Sequence, residues 1–214
     1  FERLKSVLNR RISDLTVLIE NVEKPHNLSA IIRSCDAVGV IEAYAIFNKE
    51  KFLTFNSTAQ GSQKWVNLIN HSTSKSAILS LKKRGFKLFG TTLNKNSTDY
   101  REFDYSSNTC FVLGAEKWGL SEHLINEVDD CIFIPMSGMV QSLNVSVAAS
   151  ILLFEAIRQR ELKGLIPDNG EGLNRQEYEK TLFEWCYPEL VASYKKSGKQ
   201  YPKLGENGEI NSEN

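Results

Sequence analysis

Three short stretches of this chain place polar side chains among small and apolar residues at spacings that suit chemistry on a polar ligand. The first is Asn27-Leu28-Ser29-Ala30-Ile31-Ile32-Arg33. Leu28, Ile31, Ile32, Cys35 and Val38 form the apolar face of a helix, and Arg33 lies at its flank beside Ala30 and Ala37. An arginine next to small residues can lie across a surface without steric hindrance. From spacing alone an ordinary ion pair with Asp36 or Glu20 accounts for Arg33, and a helix N-cap accounts for Asn27. The second stretch is Gly114-Ala115-Glu116-Lys117-Trp118-Gly119, directly after an apolar run. A glycine-bearing loop at the carboxyl end of a strand is where open α/β sheets hold ligands. It lacks the GxGxxG pattern and the lysine–hydroxyl pair of a phosphate loop, which disfavours nicotinamide dinucleotides and nucleoside triphosphates. Glu116 is a candidate anchor for a basic residue.

The third stretch runs from Ile134 to Ala156. A loop with Gly138, Gln141 and Ser142 precedes a long helix that is expected to begin at Leu143. Ser142 is its expected N-cap, with Asn144 in the first turn facing the loop. A helix N-terminus brings free N–H groups and a favourable dipole to such a loop. Val145, Val147, Ala148, Ile151, Leu152, Leu153 and Ala156 are then expected to bury the helix. A well-capped core helix explains the third stretch taken alone. Three such loops, each after a strand, can converge on one crevice.

The elements that must position these loops follow from periodicity. Residues 1–13 read as a basic helix with Leu4, Val7, Leu8 and Ile12 as its apolar stripe. Strands are expected over 15–22, 41–47, 65–71, 87–93, 109–113 and 131–134. Helices are expected from Pro25 to a stop at Gly39, from a Ser74 cap to Arg84, and from a Ser121 cap to Val128. Residues 48–62 read as a polar loop. This alternation implies an α/β fold, a mostly parallel sheet with helices on both faces. Past a linker at 167–172, helices are expected over 174–186 and 189–196, with a frayed polar tail. The chain thus divides into a basic N-terminal helix (1–14), a central domain (15–164), and a C-terminal helical extension with its tail (165–214).

A chain of 214 residues with 41% hydrophobic content can bury a sizeable core. No apolar run reaches membrane-spanning length. The start FERLKSVLNRR has no apolar signal core, and the missing initiator Met suggests a trimmed or partial N-terminus. Cys35, Cys110, Cys131 and Cys186 show no metal spacing and read as reduced, buried thiols of a cytoplasmic protein. The 26 basic and 26 acidic residues cancel, yet both ends of the folded part are basic. Arg3, Lys5, Arg10 and Arg11 lie at one end, and Lys195, Lys196, Lys199 and Lys203 at the other. They are either solvated surface charge or a grip on a polyanion.

Taken together, the three stretches resemble the three motifs of the SPOUT class of RNA methyltransferases. Asn27, Ala30 and Arg33 match motif one, LGAEKWGLS matches motif two, and IPMSGMVQSLNVSVAASILLFEAIRQR matches motif three. The phrases KPHNLSAI and GMVQSLNVSVA are most similar to the TrmH family of tRNA guanosine 2′-O-methyltransferases, and the likeness covers nearly the whole chain. The resemblance implies a C-terminal trefoil knot, a rare exception to the rule against threading. It also implies a homodimer, S-adenosylmethionine as cofactor, tRNA as partner, and neither membrane, DNA nor metal. The cofactor would lie against Leu93, Gly114, Ile134, Met136 and Leu143.

By the same resemblance Arg33, Asn27, Glu116, Ser142 and Asn144 are the catalytic set, and the D-loop guanosine ribose is the target. The ribose proton passes either to Arg33 or to an RNA phosphate that Arg33 holds in line. The basic ends, Arg3, Lys5, Arg10, Arg11, Lys195 and Lys196, would grip tRNA. Alternatives are a sister enzyme acting on ribosomal RNA or on the tRNA wobble ribose, and a non-catalytic RNA-binding scaffold. Ribosomal sisters usually carry a separate N-terminal domain and wobble-ribose sisters lack the C-terminal extension, so a short basic N-terminal helix with a C-terminal helical extension suits the TrmH family better. A dinucleotide-dependent oxidoreductase lacks its glycine fingerprint.

Overall fold

The computed structural model describes residues 1–47, 64–94, 96–115 and 117–210. The expected polar loop 48–62 and Glu116 lie outside them. The chain forms two compact units, Ser13–Leu165 and a second made of Phe1–Ile12 with Ile166–Asn214. The two ends, read from the sequence as separate extensions, therefore belong to one unit.

In the larger unit, strands β1 (Leu15–Glu20), β2 (Glu42–Ile46), β3 (Asn67–His71), β4 (Lys87–Thr91), β5 (Thr98–Asp99), β6 (Thr109–Leu113) and β7 (Asp130–Phe133) make one sheet. Its order is β3-β2-β1-β6-β4-β7-β5, and every pair is parallel. β1 and β6 lie at the centre and are buried along their whole length, as expected of strands covered on both faces. The two-residue β5 is an addition to the sequence reading; two residues give no detectable alternation.

The connecting helices are α2 (Pro25–Ala37), α3 (Ser74–Lys83), α4 (Glu122–Glu127) and α5 (Val145–Leu162); α1 (Glu2–Leu8) belongs to the second unit. Leu18, Tyr44, Leu88 and Val112 share one core with Ala77, Ile78 and Leu81 of α3 and Leu124 of α4. The alternate strand residues Val17, Ile19, Phe89 and Phe111 are buried as well, so side chains on the opposite sheet face are covered too. α2 and α5 pack on each other, and α5 lies against β6.

Several caps differ from the sequence reading. α2 begins at Pro25 with Lys24 as N-cap, so Asn27 falls inside the first turn and is buried at 2% exposure. Pro25 explains the shift, because its ring favours the first helical position, where no N–H is needed. α3 is capped by the Thr73 hydroxyl rather than Ser74. α5 begins at Val145, and its cap is Asn144 rather than Ser142. Ser121 caps α4 as expected. Val147, expected in the core, is 46% exposed. Cys131 and Cys186 are only half-buried, whereas Cys35 and Cys110 are buried.

One charged side chain fixes the amino-end edge of the sheet. Arg160, near the end of α5, is 1% exposed. Its guanidinium donates to the Tyr105 carbonyl at 3.1 Å, the Ser107 carbonyl at 2.8 Å, the Asp14 carbonyl at 3.1 Å and the Asp14 carboxylate. It thereby ties the approaches to β1 and β6 together.

The second unit contains α1 (Glu2–Leu8), α6 (Arg175–Cys186) and α7 (Pro188–Ser197), with α1 packed on α6. Tyr178 donates to the Asn9 side chain at 2.6 Å. Phe183 packs among Tyr187, Tyr194 and Tyr201. The tail up to residue 210 is not frayed. Leu204 bridges Ile210, and the Tyr187 hydroxyl donates to the Gly208 carbonyl at 2.8 Å. Arg11, expected among the tRNA-gripping cations, is buried at 1% exposure with its guanidinium 5.2 Å from the Trp185 ring centre. Burial against that ring keeps it from the surface. Arg3, Arg10, Lys195 and Lys196 are exposed; Lys195 pairs with Glu184 at 3.2 Å, and Lys5 with Glu2 at 3.9 Å.

Candidate active site

Because the sheet is parallel, every strand delivers its carboxyl end to the same edge. The order reverses there: β2 and β3 lie on one side of β1, and β6, β4 and β7 on the other. Such a reversal opens a crevice between diverging loops. A cavity of about 340 Å³ lies at the ends of β4, β6 and β7, within the usual small-molecule range of roughly 300–1,000 Å³. Thr91 at the end of β4, with Thr92 and Leu93 beyond it, lines the cavity, as do Gly114 and Ala115 just after β6. β7 contributes Ile132, Phe133 and Ile134, with Met136 following. Gln141, Ser142 and Leu143 approach from the loop before α5, and Val145, Ala148 and Leu152 from α5 itself.

The loop after β6 is folded back on itself. Ala115 and Gly119 exchange two backbone hydrogen bonds, of 3.1 and 2.8 Å, and Gly119 adopts a φ of +67°, which glycine tolerates without strain. A methyl group on Gly114 would meet the Gly119 carbonyl carbon at 2.2 Å, so backbone occupies the space a side chain would need. Ser121, just beyond, caps α4 and is itself held by Glu20. That carboxylate accepts from the Ser121 amide and hydroxyl, each at 2.8 Å. Glu20 is thus engaged with the second motif rather than with Arg33.

All five residues expected against the cofactor, Leu93, Gly114, Ile134, Met136 and Leu143, line this cavity, as does Ser142. Asn27, Arg33 and Asn144 lie outside its lining. Asn144 donates to the Asn27 side-chain oxygen at 3.1 Å, which joins the first and third motifs. Its own oxygen accepts from the Ser146 amide at 2.8 Å and the Ser146 hydroxyl at 2.6 Å. Arg33 projects from α2 and is exposed. The sequence reading did not single out Thr91, Thr92, Val145, Ala148 or Leu152 as cavity residues; their position at a strand end or on the first turns of α5 was the available signal. Trp118, at the mouth, is 79% exposed.

The lining chemistry bears on which ligand fits. Among the described residues no charged side chain lines the cavity, and the Thr91 hydroxyl is engaged with the Val112 carbonyl at 3.0 Å. A phosphate would find no cation there. A heterocycle with few charges would find apolar walls, loop backbone and the side chains of Gln141 and Ser142. An adenine ring fits such a lining. Among the described residues no group of three His, Cys, Asp or Glu is placed to hold a metal ion, and no helix is long and apolar enough to cross a membrane.

Comparison with known proteins agrees with this geometry. Residues 14–154 match the model of the SpoU rRNA Methylase family, and residues 158–213 match that of the SpoU rRNA methylase C-terminal region. The chain is 52% identical over 183 residues to the tRNA (guanosine(18)-2′-O)-methyltransferase of Thermus thermophilus, covering 86% of this chain and 93% of that one. Its structure is similar to that of the A. aeolicus TrmH/SpoU tRNA modifying enzyme, with a TM-score of 0.79 and 42% identity, covering 88% of this chain and 95% of that one. It is also similar to the SpoU methyltransferase AviRb of Streptomyces viridochromogenes in complex with AdoMet, with a TM-score of 0.62 and 28% identity, covering 71% and 59% of the two chains. A seven-stranded parallel sheet with its cavity between motifs two and three, matched along nearly its whole length, belongs to the SpoU methylase family, and within it to the TrmH enzymes of the SPOUT class.

Proposed function

We propose that this protein is a tRNA (guanosine-18-2′-O)-methyltransferase that uses S-adenosylmethionine. One observation carries the reading: the cavity at the strand ends is built from the same motif residues in a chain 52% identical to an enzyme of that activity. AviRb, bound to AdoMet in its solved structure, supports the cofactor. When bound, the cofactor supplies an electrophilic methyl group on a sulfonium, which becomes neutral as the methyl departs.

The protein must then orient a ribose hydroxyl and deal with its proton, since that hydroxyl is a weak acid. Leu93, Ile134, Met136 and Leu143, which line the cavity, would hold the adenine end by apolar contact and loop backbone. The Gly114 turn would let the second motif close on the cofactor. Ser142 faces the cavity and directs the methyl-donor end. Asn27, buried and bonded to Asn144, fixes α2 against the start of α5. Arg33 is the catalytic residue. A guanidinium is a permanent cation with a planar two-point fork, so we assign it to holding an RNA phosphate in line with the 2′-hydroxyl, the phosphate receiving the proton. The exposed cations Arg3, Arg10, Lys195 and Lys196, with the half-buried Lys5, engage the tRNA body.

The family resemblance further supports a trefoil knot in the segment leading to α5, a homodimer, and a cytoplasmic location alongside the tRNA. For the dimer, Val147 and Phe154 on α5 are 46% and 56% exposed on one helical face, and Arg33 lies outside the cavity of its own chain. A second copy would cover the first and complete the site with the second.

The test is methyl transfer from labelled S-adenosylmethionine to an unmodified tRNA transcript and to one with the D-loop guanosine replaced. Label on the first alone establishes reaction and site. Equal label on both moves the target towards the wobble ribose. No label with intact cofactor binding points to ribosomal RNA, and loss of both points to a scaffold. Arg33→Ala is expected to abolish turnover, and Arg33→Lys to leave it unrescued.

A further inference from the structure

Helices α2 and α5 cross through small polar residues. On α2 the Ser34 hydroxyl lies 3.0 Å from the Ala30 carbonyl. On α5 the Ser150 hydroxyl lies 2.8 Å from the Ser146 carbonyl. The two hydroxyl oxygens are 2.8 Å apart. Two hydroxyls carry two protons, and three close approaches compete for them. If both protons stay on their own helices, two oxygens face each other with none between. The satisfactory arrangements are relays. Either Ser150 donates to Ser34, which donates to Ala30, or Ser34 donates to Ser150, which donates to Ser146. In both, the inter-helix bond is made and its neighbour strengthens it.

The relay does not stand alone. Ser146 also donates to Asn144, and Asn144 donates to Asn27. α2 is therefore tied to α5 twice, through Asn27 and Asn144 at the start of both helices and through Ser34 and Ser150 further along. The residue next to the second tie is Arg33. Packing of Leu28, Ile31 and Ile32 holds α2 in place, but apolar burial is non-directional. Hydrogen bonds are directional, and two of them fix the roll and height of a helix where one fixes neither.

The geometry points to Ser34 and Ser150 as positioning residues for methyl transfer. Their relay sets the angle at which Arg33 leaves α2 and meets the substrate. This rests on the reading of Arg33 as the catalytic group. Neither serine lines the cavity, so the relay acts on the rate of transfer and not on cofactor binding.

The experiment measures kcat, KM for S-adenosylmethionine and for tRNA, and the melting midpoint of the full chain carrying Ser34→Ala, Ser150→Ala, both together, or Ser34→Thr. Either single change is expected to lower kcat roughly 10- to 100-fold, the scale of an ångström-sized misplacement, with both KM values unchanged and the melting midpoint near that of the parent. The double variant is expected to be no slower than the slower single one, because both act through one bond. Ser34→Thr keeps the hydroxyl and is expected to restore most of the rate. If either single variant fails to fold, the other reads the same bond from its opposite side. Unchanged kcat in both singles, or a fall in kcat that only follows loss of melting midpoint and cofactor affinity, overturns the proposal. Arg33→Ala in the same assay separates the two readings. If it is inactive while the serine variants run normally, the relay fails and the catalytic reading stands. If it turns over normally, the reading beneath the relay fails.

Discussion

Gly114→Ala puts the cofactor assignment at risk with one methyl group. The added carbon would lie 2.2 Å from the Gly119 carbonyl carbon and 2.4 Å from both the Gly119 oxygen and the Leu120 nitrogen. All three are backbone atoms, so no side chain can swing aside and the loop itself must open. Opening it breaks the two Ala115–Gly119 hydrogen bonds of 3.1 and 2.8 Å. At about 0.5–1.5 kcal/mol net each, the closed loop loses roughly 1–3 kcal/mol. If the cofactor needs that loop closed, the whole loss appears in its affinity, and Kd rises about 5- to 150-fold. Calorimetric titration of the variant with S-adenosylhomocysteine measures this, once circular dichroism shows the fold intact. Gly138→Ala is the steric control, since a methyl there meets nothing within 4 Å. A Gly114→Ala protein that binds as tightly as its parent would refute the reasoning, because the cavity would then not be the cofactor seat.

Arg160→Ala removes four hydrogen bonds, while Thr109 still donates to the Asp14 carbonyl through its amide and to the Ser107 carbonyl through its hydroxyl, each at 2.8 Å; urea unfolding should show a loss of about 3 kcal/mol, the low end for a broken buried pair, because those acceptors keep a donor, Asp14 is 43% exposed and its charge is screened. Burial pushes the Cys110 thiol up, well above its usual range. Stability from that site is therefore complete below the unfolded thiol value of about 8.5 and declines as pH rises above it, at up to roughly 1.4 kcal/mol per pH unit; Cys110→Ala should remove this part of the alkaline slope. Arg10→Ala and Lys196→Ala should each reduce the slope of log affinity for tRNA against log salt by about 0.7–0.9. Arg11→Ala should leave that slope alone and lower the melting temperature instead, since Arg11 is buried against Trp185.

Much of the fold was legible because the strands are apolar runs bounded by turn residues, and Thr109–Leu113 matches its expected limits. Misreadings concentrate where two residues compete for one local role. Thr73 and Ser74 both carry a hydroxyl suited to capping, and only the backbone angle at each residue decides. Arg11 and Arg160 look like surface cations in a sequence; a neighbouring Trp185 ring and the Asp14 carboxylate, both distant along the chain, bury them. Position after strands, a local property, pointed to a shared crevice of loops; the individual lining residues Leu93, Gly114, Ile134, Met136 and Leu143 came from the family resemblance. The Ser34–Ser150 and Glu20–Ser121 bonds were not, since each joins residues about a hundred positions apart and no periodicity encodes such a pair.

The choice of asparagine at position 144 shows how the site and the helix constrain one another. Capping alone would accept Ser, Thr or Asp at that position, because each offers an oxygen to a first-turn amide. Holding α2 alone would accept any donor that reaches the Asn27 oxygen. Asn144 does both, accepting from Ser146 through its oxygen and donating to Asn27 through its nitrogen. A carboxylate would keep the cap and lose the donor; a serine would keep the cap and present one short hydroxyl for two partners. Only an amide divides the two functions between two atoms of one side chain. With the cap supplied by Asn144, Ser142 is released from the role its sequence position suggests, and its side chain can line the cavity. The residue two places before the cap is thus free for the ligand because the cap itself does double duty.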